Sequence, residues 1–268
     1  MSNPQSKSQG TSCVVTGGAR GIGRGIAELM VARGHRVVVT DIDGEAAART
    51  ATEIGAAEGL AQDVRDPASH RAAVAAAGRH GALTAYFNNA GVGFDGDLAD
   101  LSEEKVRALV EINLLGAIWG TRAAVDAFGG TGGDVVTTAS LSGLGPVPGL
   151  SVYAATKAAV VSLAMSVNLE TPRCVRIHAL CPDGVATQMV ADMDPAGTGA
   201  RLVHSGGRLL TVEQVAQAAV DLVGSRRVVR TLPGWRAGAM RGGSLIPSQA
   251  GVAMALFARQ GGRALRKP

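Results

Sequence analysis

Residues 12–16, SCVVT, make an apolar run of strand type that breaks into a glycine cluster, TGGARGIG at 16–23. Residues 24–33 follow with Ile26, Ala27, Met30 and Val31 at helical spacing, and Gly34 stands where such a helix would stop. Residues 37–40, VVVT, then read as a second buried strand. Strand, helix and strand within roughly 30 residues make a βαβ unit, whose crossover is right-handed in nearly all proteins. That unit commits the chain to a parallel strand pair with a helix laid across one face.

The alternation continues. Helices are expected over 45–54, 67–77, 103–128 and 152–168, and strands over 59–62, 83–87, 134–138, 175–180 and 228–232. The fold class that follows is α/β, a doubly wound, Rossmann-type, mainly parallel sheet with helices on both faces. Such sheets bind ligands beyond the carboxyl ends of their strands.

A hydrophobic share of 46% excludes an intrinsically disordered chain, and 268 residues fit one open α/β domain without a visible boundary. The chain contains no apolar run near the roughly 18 residues that span a bilayer, and residues 1–10 lack a signal-peptide core. A cytoplasmic protein is expected, with residues 1–10 a disordered leader. Three scattered cysteines are too few for a disulfide framework or a zinc site, so no metal is expected. Cys13 and Cys174 are read as buried packing residues.

The formal charge of +4 conceals an asymmetry. Residues 226–268 hold nine Arg or Lys and no Asp or Glu, leaving the rest of the chain at a net −5. No helix-turn-helix, zinc or RNA-binding signature accompanies the basic end, so a nucleic-acid partner is not expected.

Between a strand and a helix, Gly17, Gly21 and Gly23 let backbone approach a phosphate, and the amides at the following helix N-terminus attract the anion. The spacing is not G-x-G-x-x-G, because Ile26 occupies the place of the third glycine. A plain glycine turn is the alternative. Asp41 closes the second strand, where a carboxylate accepts from both adenosine ribose hydroxyls and repels a ribose phosphate; this favours NAD over NADP. Arg20 argues the other way, because it can reach a phosphate, and a capping role for Asp41 stays open.

Tyr153 and Lys157 lie four apart in VYAATKAAV and share a helical face. An ammonium beside a phenol favours phenolate, and such a group can take an alcohol's proton while hydride leaves the carbon. A surface pair on an amphipathic helix is the bland reading. Ser140, in TTASLSG, stands thirteen residues before Tyr153, and NNAG at 88–91 follows the fourth strand. With these pieces in order, residues 12–189 resemble the short-chain dehydrogenase/reductase family, in its single-domain branch.

The resemblance implies roles at matching positions. Ser140 would bind the substrate oxygen, Tyr153 would be the acid/base, Lys157 would hold the nicotinamide ribose and lower the tyrosine pKa, and Asn113 in INLLG would retain a relay water. The cofactor would lie against Gly17, Arg20, Gly21, Ile22, Gly23, Asp41, Asp63, Val64, Asn89, Ala90, Gly91, Pro182, Val185 and Thr187, besides Tyr153 and Lys157. Asp63 and Val64 would flank the adenine, and Thr187 would reach the carboxamide. A homotetramer or homodimer is implied as well. One departure is Asp183, where the family has glycine after proline; an Asp that tolerates left-handed geometry would keep the loop.

Residues 191–210 read as a lid, rich in glycine, within a single dinucleotide-binding and catalytic domain at 11–268. Phe94, Leu144, Val147, Met189 and Met193 would make an apolar pocket, suited to a hydrophobic secondary alcohol or ketone. Ser142, His204, Arg201 and Arg208 would serve either as substrate contacts or as solvated loop groups. In the basic extension over 234–268, AGVAMALFA precedes Arg259, Arg263 and Arg266 at helical spacing. It would pack against protein, rest on an anionic membrane or remain a mobile tail. The function expected is hydride transfer between NAD(H) and an alcohol or ketone; the alternative is a silent NAD-binding regulatory or scaffold protein.

Overall fold

The computed structural model describes residues 10–245 and 247–266; the leader assigned to residues 1–10 thus lies outside it except for Gly10. Strands β1 (Thr11–Thr16), β2 (Arg36–Asp41), β3 (Glu58–Ala61), β4 (Ala82–Asn88), β5 (Gly133–Thr138), β6 (Val175–Pro182) and β7 (Val229–Leu232) form one sheet. Their order is β3-β2-β1-β4-β5-β6-β7, and every neighbouring pair is parallel. This is the Rossmann-type doubly wound sheet expected from the alternation. Strand order reverses between β1 and β4, where ligands of such sheets bind.

The strands read as unbroken apolar runs because both sheet faces are covered. Cys13 and Val15 of β1 point to one face and Val14 to the other, and all three are fully buried. Helices α1 (Gly21–Ala32) and α2 (Gly44–Ile54) cover the first face. On the second lies α3 (Pro67–His80), started by the Asp66 side chain, which accepts from the Ala68 amide at 2.8 Å. Then comes α4 (Glu103–Ala108), which passes through a π-helical stretch, Leu109–Leu115, into α5 (Gly116–Phe128). Helix α6 (Ser151–Glu170) lies on the second face, against the π-helical stretch. The stretch Glu103–Phe128 and helix α6 are long and apolar enough to cross a membrane by length and composition alone, but both lay apolar faces on this sheet.

After β6 the chain forms short helices α7 (Gln188–Ala191) and α8 (Thr198–Val203), then α9 (Val212–Val220), which joins α1 on the first face. Helices α10 (Gly234–Leu245) and α11 (Pro247–Ala264) complete the described chain. The stretch read as a lid is therefore about half helical. Two sequence expectations need correction or extension. Cys174 is exposed, because it lies in the turn before β6 rather than in a strand, whereas Cys13 is buried as expected. Helix α9 was not foreseen, although Thr211 and Gln214 make a reciprocal capping box at its start.

Strands β5 and β6, which lead into the loops of the candidate site, are cross-linked by a buried carboxylate. Asp134 accepts from Arg176 Nε at 2.7 Å and lies 2.9 Å from His178 Nε2. Burial would raise the Asp134 carboxyl, but the hydrogen bonds from His178 and Arg176 outweigh it and hold it below the ordinary value. Its ionised form therefore stabilises the fold above about pH 4, and that contribution is lost as pH falls through the depressed folded-state value. Asp134→Ala leaves Arg176 and His178 without their acceptor and should cost about 3 kcal/mol in urea unfolding at neutral pH. An unchanged urea midpoint would show that the cross-link does not stabilise the sheet.

Candidate active site

The first turn is shaped by close approach. Gly17 and Gly21 have φ of 61° and 54°, in the left-handed region that favours glycine. A side chain on Gly17 would press on the Ala90 backbone at 2.8 Å, and one on Gly23 would strike Asn89 Nδ2 at 2.5 Å. Gly23 is buried behind the turn and does not line the cleft; its part is this close packing. Gly17, Arg20, Gly21 and Ile22 do line it, at the N-terminus of α1.

Asn89 holds this turn to the neighbouring strands. Its Nδ2 donates to the carbonyls of Thr16 at 3.1 Å and Gly17 at 3.2 Å, and its Oδ1 accepts from Thr138 Oγ1 at 3.2 Å. The Thr16 hydroxyl oxygen accepts from the Asn89 and Ala90 amides, both at 3.0 Å.

A cleft of about 960 Å³ runs over the carboxyl ends of the strands. At one end are Asp41, Asp63 and Val64; along the middle lie Asn89, Ala90 and Gly91; then come Ser140, Tyr153, Lys157, Pro182, Val185 and Thr187. Asp41 accepts from the Ala19 amide at 3.2 Å, so it braces the glycine turn while facing the cleft. The Asp63 carboxylate is gripped by Arg65 at 2.7 to 3.0 Å, and that hydrogen bonding holds it below the ordinary carboxylate value. A cleft of this length, with glycine where a side chain would intrude and free amides at a helix N-terminus, fits an extended dinucleotide.

At the other end, Tyr153 and Lys157 project from α6 beside Ser140, which follows β5. Tyr153 and Ser140 line the cleft together, and Ser140 Oγ accepts from the Ser142 amide at 3.1 Å. Lys157 Nζ donates to the Thr138 carbonyl at 2.7 Å and lies 5.6 Å from the centroid of the Tyr153 ring. The ammonium thus sits over the ring face. Burial pushes the Lys157 ammonium down to about 8 and the Tyr153 phenol above its ordinary value, the latter only partly offset by Ser140. The lowering of the tyrosine expected from the lysine is not what this structure has: desolvation disfavours both charged forms. Cys181, buried nearby, is likewise pushed up to about 11 by burial.

Asn113 lies in the π-helical stretch rather than in the main cleft. Its Oδ1 accepts from the Val92 amide and its Nδ2 donates to the Val92 carbonyl, both at 2.9 Å. Asn113, Thr138 and Lys157 share a separate cavity of about 10 Å³, at the lower limit for a single water.

Beyond the tyrosine the cleft is lined mainly by apolar side chains, with Asp95, Gln188, Asp192 and the Asp183 and Arg236 pair set between them. Phe94, Val147, Met189 and Met193 line it as expected, joined by Leu150, Leu202, Met240, Met254 and Phe257. Leu144 does not; it packs against the core under the second sheet face. Ser142 lines the cleft, whereas Arg201, His204 and Arg208 do not, and His204 Nδ1 bonds the Ala200 carbonyl of its own helix at 2.9 Å.

The departure at Asp183 has a partner that sequence reading missed. Asp183 Oδ2 lies 2.8 Å from Arg236 Nε of α10, and Arg236 Nη2 donates to Ser205 Oγ at 3.0 Å. The guanidinium is flanked by the rings of Trp235 and Phe257, each 5.8 Å from it. No non-glycine residue among those described has positive φ, so Asp183 does not use the left-handed geometry allowed for it. Burial raises the Asp183 carboxyl and Arg236 only partly restores it. Desolvation therefore outweighs the attraction, and the ionised pair positions α10 more than it stabilises the fold. Asp183→Ala alone should cost about 3 kcal/mol by stranding Arg236, while adding Arg236→Met should restore stability to within about 1 kcal/mol. A double variant that loses the sum of the two single losses, Asp183→Ala and Arg236→Met, read by urea unfolding, would show that the two side chains are not coupled.

Comparison with known proteins agrees with this geometry. A family model described as short chain dehydrogenase matches residues 11–197. A sorbitol dehydrogenase of Cereibacter sphaeroides is 36% identical over 231 residues, covering 80% of this chain and 90% of its own. A cyclohexanol dehydrogenase of an Acinetobacter species is 34% identical over 218 residues, covering 78% of this chain and 86% of its own. Among solved structures, a short chain dehydrogenase/reductase from Burkholderia phymatum in complex with NAD superposes with a TM-score of 0.79 at 26% identity, covering 93% of this chain and 97% of that one.

Proposed function

The chain belongs to the short-chain dehydrogenase family, and from that premise we propose that it transfers hydride between NAD(H) and an apolar secondary alcohol or its ketone. The observation that carries the reading is that Ser140, Tyr153 and Lys157 line one cleft together, with Lys157 buried and its Nζ 5.6 Å from the centroid of the Tyr153 ring. A silent NAD-binding scaffold has no use for an acid/base tyrosine there.

The cleft's own residues supply positioning and proton handling. Gly17, Arg20, Gly21 and Ile22 with the α1 amides receive the pyrophosphate, Asp41 takes the adenosine ribose, and Asp63 with Val64 borders the adenine. Asn89, Ala90, Gly91, Pro182, Val185 and Thr187 border the nicotinamide half. A nicotinamide, when bound, supplies the hydride acceptor or donor. Ser140 donates to the substrate oxygen as charge develops on it. Tyr153 gives that oxygen a proton in reduction and removes it in oxidation. Lys157 holds a ribose hydroxyl, and Asn113 steadies a water in the small cavity beside it, through which protons reach solvent. Gly23 packs behind the turn and shapes it without lining the cleft.

Asp41 favours NAD, since its carboxylate would repel a ribose phosphate. The nine apolar linings beyond Tyr153 favour a ring or alkyl alcohol, such as the name of the cyclohexanol dehydrogenase relative implies, over a polyol. We read residues 11–268 as one catalytic domain, with 190–210 as lid and 234–268 as extension, in a cytoplasmic homodimer or homotetramer.

Tyr153→Phe should lower turnover of cyclohexanol with NAD by at least about a hundredfold while leaving NADH binding, read by fluorescence, unchanged. Unchanged turnover would remove Tyr153 from the chemistry, and tighter binding of NADPH than NADH would overturn the role of Asp41. The lysine makes a separate prediction. With its ammonium brought down to about 8, Lys157 is charged below that pH and neutral above it. In the reductive direction kcat/KM for NADH should therefore fall as pH rises through about 8, because that ratio reports the free enzyme. A profile flat to well above this pH would show that the ammonium is not needed.

A further inference from the structure

Helix α11 divides its side chains between two surfaces. Met254 and Phe257 line the cleft, and Gly261 on the same side lies so close to the Arg201 carbonyl of α8 that a Cβ would collide with it. The opposite side carries Leu256, which is 60% exposed, with exposed Arg259, Gln260 and Arg263; Arg266 follows just beyond the helix. These positions recur three and four apart and so form one stripe. Helix α10, packed against α11, repeats the division. Ala237 is buried and Met240 and Arg236 face inward, whereas Trp235 and Leu245 are 64% and 83% exposed.

The outer surface thus combines three large apolar side chains in water with a set of free cations. Arg241, Arg259, Arg263 and Arg266 enter no ion pair among the described residues, and residues 226–268 contain no acid to pair with them. Arg236, of the same segment, is neutralised by Asp183 beneath this surface.

We propose that the outer face of α10 and α11 docks on an anionic phospholipid bilayer. An amphipathic helix with arginine on its polar margin and Leu or Trp between them seats its apolar groups at the headgroup boundary, while the guanidinium groups snorkel to lipid phosphates. Trp235 is suited to that depth. A second copy fits less well, because a two-fold contact would set the unpaired arginines of this surface against themselves. A nucleic acid would use the arginines but leave Leu245 and Leu256 without a partner. Docking in this way places at the lipid surface the helix whose other side roofs the apolar end of the cleft. The proposal stands apart from the catalytic reading, since binding is measured without turnover.

The test is co-sedimentation of the full chain with vesicles of phosphatidylcholine alone or mixed with phosphatidylglycerol. The expected result is partition onto the mixed vesicles only, declining as salt is raised, with a shift of tryptophan emission to shorter wavelength that Trp235→Phe abolishes. The double change Arg259→Glu with Arg263→Glu should weaken partition at least about tenfold, with an unchanged melting temperature and gel-filtration mass. Arg259→Gln with Arg263→Gln, a milder pair, should fall between. No partition, equal partition onto neutral vesicles, or indifference to both arginine pairs would overturn the proposal. A drop in gel-filtration mass on charge reversal without vesicle binding would assign the face to a second copy, and retention on duplex DNA without vesicle binding would assign it to nucleic acid; either overturns it.

Discussion

The side chain of Asn89 ties the ends of three parallel strands together at the point where strand order reverses. Through its amide it holds Thr16 and Gly17 after β1, and through its carbonyl oxygen it accepts from Thr138 at the end of β5. The Thr16 hydroxyl closes the knot by accepting from the amides of Asn89 and Ala90. No space remains for a side chain at Gly17 or Gly23, so the shape of the glycine turn and the place of Asn89 determine each other. The consequence reaches the chemistry. The Thr138 carbonyl, fixed by this knot, is the acceptor that holds Lys157, and Lys157 in turn sits over the Tyr153 ring.

Burial then governs what those groups do without a ligand. Desolvation favours the neutral form of Lys157 and of Tyr153 at once, so the two pull toward the same uncharged state from opposite sides. A tyrosine in such a site is a good proton donor and a poor base. Ser140 eases its ionisation in part, and Lys157, aimed at the ring face and spent on Thr138, adds little. Under the proposed mechanism, oxidation of an alcohol would depend on positive charge brought by the cofactor, whereas reduction would ask of Tyr153 only what its environment already favours.

The elements that could be read from sequence are those whose cause is local. Fully buried strands announce themselves as VVVT or DVVTT, and the helices between them by apolar spacing, because both sheet faces are covered along their length. The glycine turn, Ser140, Tyr153 and Lys157 were legible for the same reason: each stands just past a strand or on one helical face. What was not legible depends on distant pairing. Asp183 and Arg236 are far apart in the chain, and nothing near either marks the other. Leu144 seemed a pocket residue by its neighbourhood in sequence, yet the short 3₁₀ turn Leu141–Leu144 carries it into the core. Helix α9 did have a local signal in Thr211 and Gln214, hidden by the glycine-rich stretch before it.

The basic end shows why a count of charges is a poor guide to what charges do. Nine cations without an acid make a single block in the sequence. In the fold they separate by depth. Arg230 bonds Asp221 and the Ala218 carbonyl of α9, Arg236 is buried against Asp183, and the arginines of the α11 stripe remain in solvent with no carboxylate partner among the described residues. A guanidinium that is paired and covered contributes shape, here the position of α10 over the cleft, and almost no field. One that is exposed and unpaired contributes field, and it does so on the surface that also presents Leu256 and Trp235. The same segment is thus neutralised where Arg236 meets Asp183 at the cleft and positive where its unpaired arginines meet solvent.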